Sequence, residues 1–148
     1  MPLIEKLQND MKQALKSRDA LRLSTIRLVI SSVGYARIDK GRELTDDDVL
    51  EVLARAAKQR KETIEAAEQG GRMDVAERER AELEIINEYL PKQLTEDEVE
   101  SLAREIAAEV GAAGIKDMGK VMGPLMQRTR GQVDGKLAGK VVERVLRG

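Results

Sequence analysis

A chain of 148 residues, 36% charged and 41% hydrophobic with a net charge of −1, is long enough for one domain or two small ones and too apolar to stay disordered. It holds no Cys and no His, which removes disulfides, thiol nucleophiles, the usual zinc ligands and the one side chain that titrates near neutrality unperturbed. Trp and Phe are absent and Tyr35 and Tyr89 are the two aromatics, so a core must be built from Leu, Ile, Val, Ala and Met, a composition that favours helices.

The first predicted helix spans Pro2 to Lys16, with Leu3, Ile4, Leu7, Met11, Ala14 and Leu15 recurring at helical spacing along one face. Asp19 is placed to cap a second helix running to about Arg37, with Leu21, Thr25, Leu28, Val29 and Ser32 expected inward. Lys40-Gly41-Arg42 breaks the pattern. Thr45 then caps a third helix, whose first turn carries Asp46, Asp47 and Asp48 where the helix dipole favours acids. Its inner face is expected to be Leu50, Leu53, Ala57, Ile64 and Ala67, and Gly70-Gly71 ends it. A fourth helix is expected from about Met73 to Leu90, with Leu83, Ile86 and Leu90 inward, and Pro91 stops it.

Thr95-Glu96-Asp97-Glu98 is a capping box, which starts a fifth helix reaching about Ala112, with Val99, Leu102, Ile106 and Val110 inside. Asp117 is expected to cap a short sixth helix that Pro124 kinks or restarts near Gly123. Asp134 caps a seventh with Leu137, Val141, Val142, Val145 and Leu146 apolar. The fold class expected is therefore all-α: a four-helix unit over residues 1–91 and a three-helix unit over residues 92–148, joined at Tyr89–Leu94.

Charge singles out the last third of the chain. Residues 111–148 hold eight bases (Lys116, Lys120, Arg128, Arg130, Lys136, Lys140, Arg144 and Arg147) against Asp117, Asp134 and Glu143, a local +5 on a nearly neutral chain. Lys136, Lys140 and Arg144 recur every four residues with Arg147 three further on, which makes one stripe beside the apolar face of the last helix. Such a stripe fits phosphates of a nucleic-acid backbone; the plain alternative is a solvated face balanced in part by Glu143. The scarcity of aromatics argues against stacking on unpaired bases and for recognition of a folded duplex by its backbone. Gly119, Gly123 and Gly131 are assigned to packing and turns, and Met118, Met122 and Met126 to core filling.

The other clusters read as structural. Lys58-Gln59-Arg60-Lys61, opposite the apolar side of the third helix except for Arg60, is expected to be neutralised by Glu62 and Glu65, Asp46–Asp48 to serve the helix start rather than a cation, and Arg72-Met73-Asp74 to pin two helices together. No P-loop, G-x-S-x-G or G-x-G-x-x-G pattern is present, so no catalytic residue, cofactor or metal is expected. No run approaches the roughly 18 apolar residues of a membrane span, and the charged start is no signal peptide, so the expected location is the cytoplasm with no membrane partner.

Lys58-Gln59-Arg60-Lys61-Glu62, Gly71-Arg72-Met73-Asp74, Glu82 through Leu94, Asp117 through Met122 and Gly135-Lys136-Leu137 together resemble the YqeY family, in one order over essentially the whole chain. The second unit is also similar to the tail domain of GatB, a subunit of tRNA-dependent amidotransferase. That resemblance implies a helical module that contacts tRNA. It does not carry amidotransferase activity, because nothing here stands in for the catalytic part of GatB. Gln132-Val133 after Gly131 departs from the basic residue and alanine often found there, which weakens a phosphate contact on that turn. The reading is a non-catalytic tRNA-binding accessory protein. The alternatives are an adaptor for an aminoacyl-tRNA synthetase or amidotransferase subunit without RNA and, last, a carbon–nitrogen ligase with glutamine as amido donor.

Overall fold

The two threonine-led acidic runs start helices by the same device. In each capping box the threonine hydroxyl accepts the backbone N–H three residues on, and that residue's carboxylate accepts the threonine N–H: Thr45 with Asp48, and Thr95 with Glu98. A computed structural model describes all residues from Met1 to Gly148 and contains seven α-helices and no strand. They are α1 (Leu3–Ser17), α2 (Ala20–Lys40), α3 (Asp46–Gln69), α4 (Met73–Asn87), α5 (Glu96–Val110), α6 (Met118–Arg128) and α7 (Gly135–Arg147). Asp19 and Asp134 cap α2 and α7 as their positions predict, accepting from the N–H of Arg22 and of Lys136. The chain divides into two units, Met1–Leu90 and Pro91–Gly148.

In the first unit α1 packs along α2, α3 along α4, and α2 touches both members of the second pair. Leu7, Ile26, Val29, Leu53 and Ile86 lie at its centre, each 3% exposed or less. Tyr89 closes one end: its hydroxyl donates to Asp10 at 2.5 Å, and Lys6 sits over its ring. Burial, then that hydrogen bond, push the phenol well above its ordinary range. Arg60 of α3 reaches Glu82 at 3.4 Å and Glu79 at 3.9 Å on α4. Arg80 pairs with Glu68 across the same two helices. These ties pin α3 to α4. Glu62 and Glu65 do not neutralise Arg60, and Met73, expected to help pin the helices, is 50% exposed.

Some inward assignments are corrected. Leu15 and Leu28 are 57% and 54% exposed, and Ser32 faces solvent. The face of α2 that packs is the one carrying Ile26, Val29 and Val33. The cause is that α2 is apolar on more than one side, so three-and-four spacing fits two faces and tertiary packing chooses between them. Val110, the last residue of α5 before the left-handed Gly111 cap, is 38% exposed.

In the second unit α5, α6 and α7 each pack on the other two around Val99, Ala103, Ile106, Val121, Leu125, Ala138, Val141 and Val142, all 0% exposed. The methyl ends of Met118 and Met126 lie where added Cβ atoms at Gly139 and Gly135 would meet them, at 3.9 and 3.8 Å. The methionine stripe thus seats α6 on α7, as core filling predicts.

One expectation for α6 fails and one of the two alternatives for Pro124 is removed. Asp117 does not cap it: the carboxylate turns back to accept the N–H of Ala113 at 2.8 Å, and a 3-10 turn at Ile115–Asp117 leads into the helix. Nor does Pro124 restart it. The α-helix runs unbroken from Met118 to Arg128 with Pro124 inside it, at the loss of the one backbone donor to the Lys120 carbonyl.

Candidate nucleic-acid interface

The buried face of α7 consists of Ala138, Val141 and Val142, which leaves Lys136, Lys140, Arg144 and Arg147 together on the exposed side. Lys140, Glu143, Arg144, Arg147 and Gly148 line an open depression of about 460 Å³. The remaining candidates sit elsewhere in the unit. Lys116 lies in the 3-10 turn, Lys120 in the first turn of α6, Arg128 in its last turn, and Arg130 is exposed in the turn to α7.

The sequence reading missed what stands opposite several of these cations. Arg144 donates to Glu96 at 2.9 Å and approaches Glu100 at 3.4 Å, while Arg128 donates to Glu109 at 2.8 Å. Arg147 pairs with Glu143 one turn back at 2.7 Å, and Lys120 with Asp117 at 3.4 Å. Lys136 and Lys140 pair with no acid of their own unit. Three of those acids belong to α5, which carries six acids and one base. Over Pro91–Gly148 as a whole, ten bases meet nine acids, so the basic last third is nearly balanced inside its own unit. The clue was available: an acidic helix next in sequence to two basic ones, in a unit small enough that all three must touch.

The geometry around the turn gives Gln132 a role. Its side-chain amide donates to the carbonyl of Lys92, its own carbonyl accepts the N–H of Leu94 at 2.9 Å, and Gln93 donates to the carbonyl of Gly131 at 2.6 Å. This double clasp ties the start of the unit to the turn between α6 and α7. Gly131 takes φ +73° there, a conformation glycine adopts without Cβ strain. The hydroxyl of buried Thr129 donates to the carbonyl of Leu125. The Asp117 carboxyl is held below its ordinary range, first by the Ala113 N–H and then by Lys120. It stays a fixed anion beside Lys116 and Lys120, and lowers the local positive potential there. No cluster of His, Cys, Asp or Glu side chains is arranged to hold a metal ion.

Comparison with known proteins gives a match to the model of the Yqey-like protein family over residues 4–146. Among curated proteins, the chain is similar to "Altered inheritance of mitochondria protein 41, mitochondrial" from three fungi. The protein from Lachancea thermotolerans is 35% identical over 59% of this chain and 47% of its own length. That from Candida glabrata is 32% identical over 68% and 56%, and that from Pyrenophora tritici-repentis 27% identical over 97% and 81%. The chain thus spans about half the length of the first two. These relatives are named as mitochondrial proteins, which corrects the cytoplasmic placement expected above. That expectation came from composition and hydropathy, which carry no address. No helix is long and apolar enough to cross a membrane.

Proposed function

The chain belongs to the Yqey-like protein family, and from that premise we propose a non-catalytic accessory protein whose second unit holds the phosphate backbone of a folded tRNA. The observation that carries this reading is the pair Lys136 and Lys140: adjacent on α7, exposed, and without the acid partners that engage Arg128, Arg144 and Arg147. A cation with no internal partner gives up little when a phosphate replaces its water. The second unit has no aromatic side chain on which an unpaired base could stack, which favours contact with the backbone of a duplex. The amidotransferase-tail likeness of this unit supports tRNA as the RNA class.

The test is binding of labelled tRNA to Lys136→Glu/Lys140→Glu against Lys92→Glu/Arg104→Glu, which changes net charge equally within the same unit. Loss of binding in the first variant alone, with unchanged helical circular dichroism, supports the proposal. Equal effects of the two variants reduce it to nonspecific charge attraction and contradict it.

A further inference from the structure

On a chain that is 36% charged, the outward face of α2 stands apart. Ser24, Leu28, Ser31, Tyr35 and Ile38 follow one another at alternating spacings of four and three, the repeat of a coiled-coil seam. Leu28, Tyr35 and Ile38 are 54%, 74% and 73% exposed, so this seam has no partner within its own unit. The charges beside it are Arg27 on one edge and Asp39 on the other, neither of them in an ion pair within its unit. Gly34 lies on the same edge as Arg27, and a Cβ there would meet nothing within 4 Å. Packing inside the chain therefore does not call for a glycine, although glycine weakens a helix interior.

We propose that two copies of this chain associate through this seam, α2 against α2, antiparallel about a two-fold axis at the level of Val33. The register follows from the residues. Positions equidistant from Val33 come level, so Leu28 meets the partner's Ile38 and the large Tyr35 meets the small Ser31 of the partner subunit. Ser31 and Gly34 leave room for the two backbones to approach at the axis.

Arg27 comes level with the partner's Asp39 in the last turn of the opposite α2, where the helix dipole is also negative. The cations of that turn are already engaged, Arg37 by Glu43 and Lys40 by Asp48 and Glu51. A parallel pairing would instead set the large Tyr35 level with its own copy and leave Arg27 twelve residues along the helix from the partner's Asp39. One helix seam buries less than the roughly 800 Å² per partner of a standard stable interface, so the association is reversible and depends on concentration.

Sedimentation equilibrium of the full chain, without RNA, tests this. The mass is expected to rise from 16.4 kDa towards twice that value as concentration increases. Leu28→Glu/Ile38→Glu should hold it at 16.4 kDa with unchanged helical signal, since both side chains are exposed. Because the chain has no cysteine, Leu28→Cys/Ile38→Cys should form a covalent dimer on mild oxidation, and Leu28→Cys alone should not. A monomer at every concentration, a dimer that survives the double glutamate, or cross-linking by Leu28→Cys alone would each overturn the proposal.

Discussion

Arg144 on α7 donates to Glu96 on α5, 48 residues earlier in the chain, at 2.9 Å, with Glu100 approaching the same guanidinium at 3.4 Å. The arginine stands in the middle of the proposed backbone-binding stripe, so a phosphate must compete there with two carboxylates of the protein itself. Glu96→Gln/Glu100→Gln should free it. The expected result is tighter tRNA binding and a plot of log K against log salt steeper by about 0.9 for the added phosphate contact. Unchanged affinity would show that Arg144 lies outside the contact.

Asp48 supplies a prediction in acid. Arg42 at 2.7 Å, the Thr45 N–H at 2.8 Å and Lys40 at 3.0 Å all favour its charged form, and the Arg42 hydrogen bond is the largest influence. The folded carboxyl therefore titrates well below the unfolded one. Its stabilisation is present above the ordinary aspartate pKa of about 3.9 and is lost as pH falls below it, where the unfolded chain binds the proton first. Asp48→Asn should lower Tm at neutral pH and narrow its gap to the parent protein towards pH 3, as thermal melts across that range would record.

Glu79 has the opposite sign. Burial, then the neighbouring Glu82, raise its pKa, and Arg60 only partly offsets them. The folded state thus binds this proton more readily than the unfolded state, and stability falls as pH rises through the ordinary glutamate range. Glu79→Gln should raise Tm at pH 7 and bring no gain well below the ordinary pKa. The same melts decide it; a lower Tm at pH 7 would mean that the contact with Arg60 outweighs burial.

How much of this was legible from the sequence depends on the distance over which each cause acts. Thr45, Thr95, Asp19 and Asp134 were read correctly because a cap is decided within four residues. The face of α2 was read only in part: Thr25 and Val29 are buried as expected, but Leu28 satisfies the same helical spacing and only the neighbouring helices leave it outside. The stripe on α7 was visible as a pattern, but its pairing with Glu96, Glu100 and Glu109 depends on how three helices fold together. Asp117 misled for a local reason: it has the position of a cap and uses its carboxylate on the loop before the helix.

The packing account of the second unit rests on its small aliphatic core. Ile106, on α5, is 0% exposed and belongs to the cluster it forms with Val121, Leu125 and Val142. Ile106→Ala should cost about 2–5 kcal/mol in the free energy of unfolding, measured by urea denaturation. A cost near zero would mean that this core is loosely packed.

The central claim, that the second unit holds a folded tRNA by its phosphates, is tested most directly by fluorescence anisotropy of labelled tRNA titrated across salt concentrations. The account predicts saturable binding whose log K falls linearly with log salt by roughly 0.7–0.9 for each phosphate neutralised, with the slope reduced in Lys136→Glu/Lys140→Glu. Absence of binding at low salt, or binding indifferent to both lysines, would contradict it.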